Sequence, residues 1–194
     1  MKTLSRALLA LALLGSSVAA GCATGAGEDD ELSGPRPERA RYKNLSRSGR
    51  DVAEHDLNRD TEPDQWAISA GGRLLREERD MNFDGAVDVY LHYCPSGDLL
   101  EEEMDLDVDG LIDVVNIYRS GVLVRKEMSI DFRGQFSVVK YYATDGTLSR
   151  IERDSNEDGK VDTWEYFQDN KLIRVGRDVD RDGSPDVFKD ATGG

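Results

Sequence analysis

A unit of about 24 residues recurs from Asp56 to near the end of the chain, and any fold for this sequence has to be built from that unit. Six copies open DLNRDTEPD at Asp56, DMNFDGAVD at Asp80, DLDVDGLID at Asp105, DFRGQFSVV at Asp131, DSNEDGKVD at Asp154 and DVDRDGSPD at Asp178. Set by these aspartates, the steps are 24, 25, 26, 23 and 24 residues. Chance similarity does not hold such a period over five intervals.

Two further pieces recur between the acidic openings. After the last aspartate come Gln65-Trp66-Ala67-Ile68, Val89-Tyr90-Leu91-His92, Val114-Val115-Asn116-Ile117 and Thr163-Trp164-Glu165-Tyr166, with aromatic or branched residues at every second place. That is strand periodicity. A turn follows, carrying Gly71-Gly72, Ser96-Gly97, Ser120-Gly121, Asp145-Gly146 or Asp169-Asn170, all pairs that tolerate positive φ. The second piece is Leu74-x-Arg76-x-Glu78, Leu99-x-Glu101-x-Glu103, Leu123-x-Arg125-x-Glu127, Leu148-x-Arg150-x-Glu152 and Leu172-x-Arg174. Each unit therefore reads as a β-hairpin, and the acidic segment joins one hairpin to the next. The space between openings is too short for two helices with a turn.

The fold expected is all-β: an antiparallel meander of about ten short strands, twisted or curled, over residues 51–190. Trp66, Tyr90, Val115, Tyr141, Trp164 and Phe188 should stack as a core column with the repeated leucines. The Arg and Glu that follow each leucine should share its face and pair as exposed ladders worth about 0–1 kcal/mol each.

The N-terminal end belongs to export. Lys2 and Arg6 precede an apolar run, Ala7 to Leu14, too short to span a bilayer as a helix. Small residues lead to Val18-Ala19-Ala20-Gly21-Cys22, which resembles the looser form of the bacterial lipobox. That resemblance implies a signal peptide over 1–21 and acylation of Cys22. Ala23 is not the aspartate that retains many such lipoproteins at the inner membrane, so it favours the outer membrane. Residues 22–50, rich in Gly, Pro and acids, read as a flexible tether. The other reading is plain signal-peptidase cleavage after Ala20, which leaves Cys22 free to pair with Cys94, the only other cysteine. With Cys22 acylated, Cys94 is a small, half-buried thiol.

Charge narrows the partners. The net charge is −14, and taking away Lys2 and Arg6 leaves −16. Nucleic acid is a poor partner for such a chain, and bound cations are a good one. The openings follow Asp-x-Asp/Asn-x-Asp-Gly-x-x-Asp, which places oxygens at positions 1, 3, 5 and 9 and a backbone carbonyl at 7. Calcium takes six to eight hard oxygens in flexible geometry, and glycine at position 6 permits the reversal that turns the side chains inward. The segment resembles the EF-hand calcium loop and the loops of FG-GAP repeats, in which strands replace the helices. By that resemblance four loops hold calcium. They are Asp80, Asn82, Asp84 and Asp88 with the Ala86 carbonyl; Asp105, Asp107, Asp109 and Asp113 with that of Leu111; Asp154, Asn156, Asp158 and Asp162 with that of Lys160; and Asp178, Asp180, Asp182 and Asp186 with that of Ser184. Asp56, Asn58, Asp60 and Asp64 keep the acids, but Thr61 replaces the glycine. The unit at Asp131 has Arg133, Gln135 and Val139 where ligands belong and should hold nothing. Position 12 is acidic only at Glu165, which sets these loops apart from helix-flanked sensors.

The function these features imply is a non-catalytic calcium-binding module of an envelope lipoprotein, structural or binding a protein or glycan. A tethered inhibitor or immunity-type protein is the alternative, because Tyr141-Tyr142 and Gly146-Thr147-Leu148 resemble MORN-like hairpins. A calcium-supported hydrolytic or carbohydrate-active enzyme is the third reading, and an enzyme is not expected. The only histidines are His55 and His92, the latter on the strand position of Ile68, Ile117 and Tyr166, and no nucleophile motif is present.

Overall fold

The computed structural model describes residues 46–191, so the signal peptide, the Cys22 lipidation site and most of the 22–50 tether lie outside the described residues. Within them the chain is one open antiparallel sheet of twelve strands, each paired with its neighbours in sequence, and no helix is present. The strands are β1 (Asp51–His55), β2 (Gln65–Ala70), β3 (Arg73–Arg79), β4 (Val89–Tyr93), β5 (Leu99–Met104) and β6 (Val114–Arg119). They continue with β7 (Val122–Met128), β8 (Val138–Tyr142), β9 (Leu148–Arg153), β10 (Thr163–Gln168), β11 (Lys171–Arg177) and β12 (Val187–Asp190). Ten of these form the five expected hairpins. The other two, β1 and β12, cap the ends by pairing across the first and last acidic loops.

Only strands adjacent in sequence touch, so the architecture is quasi-one-dimensional and each hairpin is stabilised by its two neighbours. The hairpin turns alternate in kind. β2–β3, β6–β7 and β10–β11 are joined by two residues, Gly71-Gly72, Ser120-Gly121 and Asp169-Asn170, all with positive φ, as a type I′ turn demands. β4–β5 and β8–β9 are joined by five, Cys94–Asp98 and Ala143–Thr147, each closed by the same two backbone hydrogen bonds.

The acidic loops share one hydrogen-bond frame, and it corrects the register of the fourth. The N–H of position 9 donates to the residue before position 1, as in Asp113 to Met104, and the next loop's first N–H donates back to position 9, as in Asp105 to Asp88. In the fourth loop the corresponding residues are Ser137, bonded to Met128, and Ser129, bonded to Asp113. Position 1 is therefore Ser129 and not Asp131. The steps become 24, 25, 24, 25 and 24, and the full period is 49 residues: Asp56, Asp105 and Asp154 are equivalent, as are Asp80, Ser129 and Asp178.

The interior of the sheet also differs from expectation. Each hairpin carries a bulge in its second strand, at Leu75, Leu100, Val124, Ser149 and Ile173. One extra residue reverses which face the following side chains occupy. The leucines at 74, 99, 123, 148 and 172 are thus left off the face that the Arg and Glu residues occupy. One row on that face runs Trp66, Glu78, Tyr90, Glu103, Val115, Glu127, Val139, Glu152, Trp164. The next runs Ile68, Arg76, His92, Glu101, Ile117, Arg125, Tyr141, Arg150, Tyr166. Even strands supply apolar and aromatic residues and odd strands supply charges. Val139, not Tyr141, completes the aromatic column, and Phe188 at its end is half exposed.

The charged rungs are buried. Arg125 and Glu127 are both fully enclosed, with Nε 2.6 Å from Oε1. Arg76 pairs with Glu78, Arg150 Nε lies 3.1 Å from Glu152, and His92 Nε2 lies 3.2 Å from Glu103. Among the described residues no second layer covers this face, so long side chains lying across neighbouring strands shield one another. Arg47, inside the 22–50 stretch, joins the first rung: its guanidinium sits 4.2 Å above the Trp66 ring and bonds Glu78.

Tyr141 reports on this interior. Its hydroxyl donates to Glu152 Oε2 at 2.7 Å, between the guanidinium groups of Arg125 and Arg150. Burial, opposed by Arg125 and reinforced by Glu152, pushes the phenol up to about 12. A raised tyrosine favours the protonated folded state, so its contribution is complete below about pH 10 and is lost as the pH climbs toward 12. Absorbance titration is expected to show one phenol ionising last, together with loss of sheet structure. All seven tyrosines ionising as one group before any unfolding would disprove the buried placement.

Candidate metal sites

All six acidic loops lie at one end of the meander, because each joins an odd strand to the next even one. Each has position 4 in the left-handed region (Arg59, Phe83, Val108, Phe132, Glu157, Arg181), and position 6 also has positive φ, as glycine in five loops and as Thr61, at +84°, in the first. These reversals turn backbone N–H groups inward, where the aspartates meet them.

In the loop at Asp80, Oδ1 accepts from Phe83 and Asp84 and Oδ2 from Gly85. Asp88 accepts from Met81, Asp84 from Ala86, and Asn82 bridges to Asp84. The loop at Asp154 repeats this through Asp158, Gly159 and Lys160, with Asn156 on Asp158. There the Ser155 and Thr163 hydroxyls also occupy Asp162 Oδ1. At Asp178, Oδ1 and Oδ2 take Arg181 and Gly183, Asp182 takes Ser184, and Asp186 takes Val179 and Asp180. In the first loop Asp56 takes Arg59 and Thr61, Asp64 takes Leu57 and Asn58, and Asp60 takes Glu62. The N–H groups of Ala86, Leu111, Lys160 and Ser184, whose carbonyls the motif assigns to a cation, thus each bond the position-5 carboxylate.

The loop at Asp105 is the exception. Asp105 Oδ2 accepts from Gly110 at 2.7 Å and Asp113 Oδ2 from Leu106 at 2.8 Å. The second oxygen of Asp113, Oδ1, is buried and has no hydrogen-bond partner, and Asp105 Oδ1 is buried without a hydrogen bond of normal geometry, the Val108 N–H acting on that carboxyl only weakly. Asp113 is fully buried and Asp105 nearly so. Beside them, Asp105, Asp107 and Asp109 offer oxygens that all lie within 4.8 Å of one another. Burial holds the Asp105 carboxyl above the ordinary carboxylate range, the Gly110 and Val108 amides oppose that, and Asp109 and Asp113 add repulsion. Asp113 lies outside that group of three, yet its orphaned buried oxygen, together with three crowded carboxylates, costs several kcal/mol unless a cation neutralises the loop. A hard, oxygen-only donor set of this kind suits calcium.

A second convergence is Asp178, Asp180 and Asp186, again within 4.8 Å. Among the described residues no other three such groups converge; both convergences use an aspartate at position 3, where the loops at Asp56, Asp80 and Asp154 have Asn58, Asn82 and Asn156. In the fourth loop serines replace both buried aspartates and Arg133 stands at position 5, its Nε 3.4 Å from Asp131. That guanidinium lies where a metal would need an acid.

Cys94 was expected as a free, half-buried thiol. It is buried and disulfide-bonded, and its partner lies outside the described residues. Sequence reasoning treated the Arg and Glu rungs as surface; their repetition at period two across four hairpins was the available signal that they face inward.

The sheet and its comb of acidic loops define a class, an open single-layer β-meander repeat. No family model and no curated protein matches the chain. Among solved structures it is similar to a GtfA/B complex bound to UDP and GlcNAc, at 13% identity over 67% of this chain and 24% of that one, TM-score 0.38. It is similar to S. aureus TarM in complex with Fondaparinux, alpha-GlcNAc-glycerol and UDP, at 10% identity over 63% and 21%, TM-score 0.36. It is also similar to accessory secretory protein 1, 2 and 3 of Streptococcus pneumoniae, at 13% identity over 62% and 19%, TM-score 0.33. The chain spans about a fifth to a quarter of the length of these chains. The exclusion of an enzyme is corrected here, since the similar solved structures include a GtfA/B complex and TarM, both bound to UDP. Likeness at these TM-scores assigns this chain no activity.

Proposed function

We propose that the chain is a calcium-binding repeat module of the bacterial cell envelope. Its acidic loops take calcium and thereby fix the angle between successive hairpins. The reading is carried by the loop at Asp105, where Asp105, Asp107 and Asp109 converge and the fully buried Asp113 keeps one oxygen without a partner. Calcium there replaces missing hydrogen bonds, and the binding free energy becomes folding free energy. Protein or glycan partners of the module belong to the same proposal.

Titration of the chelator-stripped protein with calcium, followed by calorimetry, is expected to find two to four ions per chain, the tightest at Asp105. No heat and no change in melting temperature up to 10 mM calcium, a ceiling above the range of about 10⁻⁴–10⁻³ M for extracellular modules, ends the reading. Acylation needs its own measurement, because an acylated thiol cannot also form a disulfide with Cys94. With Cys94 disulfide-bonded, peptide mapping of the envelope protein is expected to recover a Cys22–Cys94 cystine peptide, and diacylglycerol and fatty-acyl additions on Cys22 would overturn that pairing in favour of a lipid anchor.

A further inference from the structure

The segment that precedes the sheet is tied to it at two points. It arrives through Arg47, whose guanidinium lies over Trp66 and bonds Glu78 on the charged face. The second point is Cys94, buried in the β4–β5 turn two residues past His92 and disulfide-bonded. Neither cysteine of the chain is free, and Cys22 is the only other one. Between these two points lies a face that is enclosed although the sheet is a single layer. All nine residues of the row from Trp66 to Trp164 are buried, and Val115 and Glu127 of that row, with Arg125 beside them, are fully so. Side chains can shield their neighbours, but the top of one layer stays wet unless something lies over it. Arg76, His92, Glu101, Arg125 and Tyr141, all of the second row, each engage a further group besides the partners named above.

We infer that residues 23–45 lie across this face as an intramolecular strap, with their basic stretch over the glutamates of β5 and its neighbours. The inference rests on the Cys22–Cys94 pairing and is independent of calcium. Charge favours this occupant. The two rows carry Glu78, Glu101, Glu103, Glu127 and Glu152 against Arg76, Arg125 and Arg150, and His92 stands beside both Glu101 and Glu103. Residues 36–43, Arg-Pro-Glu-Arg-Ala-Arg-Tyr-Lys, hold four cations and one acid. Guanidinium groups suit the place, because they pair with carboxylates and stack on aromatic rings at once, as Arg47 does with Glu78 and Trp66. Length allows it as well. Cys22 and Arg47 are 25 positions apart, a reach of about 80 Å when extended. Crossing from β2 to Tyr141 on β8 and returning to Cys94 beside β4 takes about ten strand spacings, roughly 50 Å. On this reading the stretch before β1 belongs to the fold and is not a free tether.

The test uses the envelope protein purified without reductant, with Tyr42 replaced by the photoreactive p-benzoylphenylalanine. Illumination is expected to link position 42 to residues of the two buried rows on β4–β8 of the same chain. The triple change Arg36→Glu, Arg39→Glu and Arg41→Glu should cut that yield at least fivefold. It should also raise acrylamide quenching of Trp66 and Trp164, the only tryptophans, at least twofold. Arg36→Lys, Arg39→Lys and Arg41→Lys together should keep both parental values, since charge and not shape is what the glutamates need. Links to the opposite face, to the acidic loops or to a second chain overturn the strap, as does the absence of any link. Parental quenching in the glutamate variant overturns it too, and so does an acylated Cys22. The first arm changes position 42 alone, so it decides the matter even where the triple glutamate variant fails to fold. Each of these outcomes leaves the calcium reading where it stood.

Discussion

Arg125→Met is expected to destabilise the protein by about 3–5 kcal/mol, the range for leaving one member of a buried ion pair without its counter-charge. Both side chains are fully enclosed, and Glu127 stands in its row between Val115 and Val139. At roughly 2–4 °C per kcal/mol for a chain of this size, the melting temperature should fall by about 6–20 °C. The double change Arg125→Met with Glu127→Leu removes the stranded charge and should recover most of the loss, since a buried pair can be replaced by apolar residues at little cost. Urea unfolding of the two variants decides the matter. A single variant as stable as the parent would mean that Glu127 is hydrated and the rung is not interior. Because only neighbouring strands touch, the damage should be greatest at β6–β8, visible as faster amide exchange there than at β2 or β10.

Asp105→Asn is expected to change sign with calcium. In chelator, the buried carboxylate is repelled by Asp109 and Asp113 and one of its oxygens lacks a hydrogen bond of normal geometry. Asparagine keeps an oxygen for the Gly110 N–H and removes the charge, so the variant should be more stable than the parent by about 1–3 kcal/mol, the cost of an unsatisfied buried group. In saturating calcium the order should reverse. A site held at a hundred times its dissociation constant contributes about 2.7 kcal/mol, and the variant forfeits that at this loop. Asp113→Asn should behave alike, whereas Asp131→Asn, in the loop already holding Arg133, should be indifferent to calcium. Melting curves of the three variants with and without EDTA provide the check. A variant of Asp105 that is less stable than the parent in both conditions would show that the aspartate serves only as a turn-forming side chain.

The repeat was legible because duplication leaves period and alternation on the surface of the sequence. Strands, two-residue turns at Gly71-Gly72 and Ser120-Gly121, and acidic junctions all depend on neighbours within ten residues, and such local preferences are written in the residues themselves. The fourth junction was misaligned because its only aspartate, Asp131, occupies position 3, and a sequence offers no way to see that Ser129 takes the backbone role of Asp105. The loops at Asp80 and Asp154 look as intact as that at Asp105 in letters. They differ in which oxygens the amides and hydroxyls have already taken, a property of folded geometry.

What the sequence determined unaided was an antiparallel meander with carboxylates at each junction, since hairpin formation is local and the acids cannot avoid the loops. What tertiary structure alone decided was the interior. A single extra residue in each second strand, as at Leu75 or Val124, rotates Arg76, Glu78, Arg125 and Glu127 from the expected surface into the core. A bulge leaves no mark on hydrophobic periodicity read one strand at a time, because it is defined only against the partner strand.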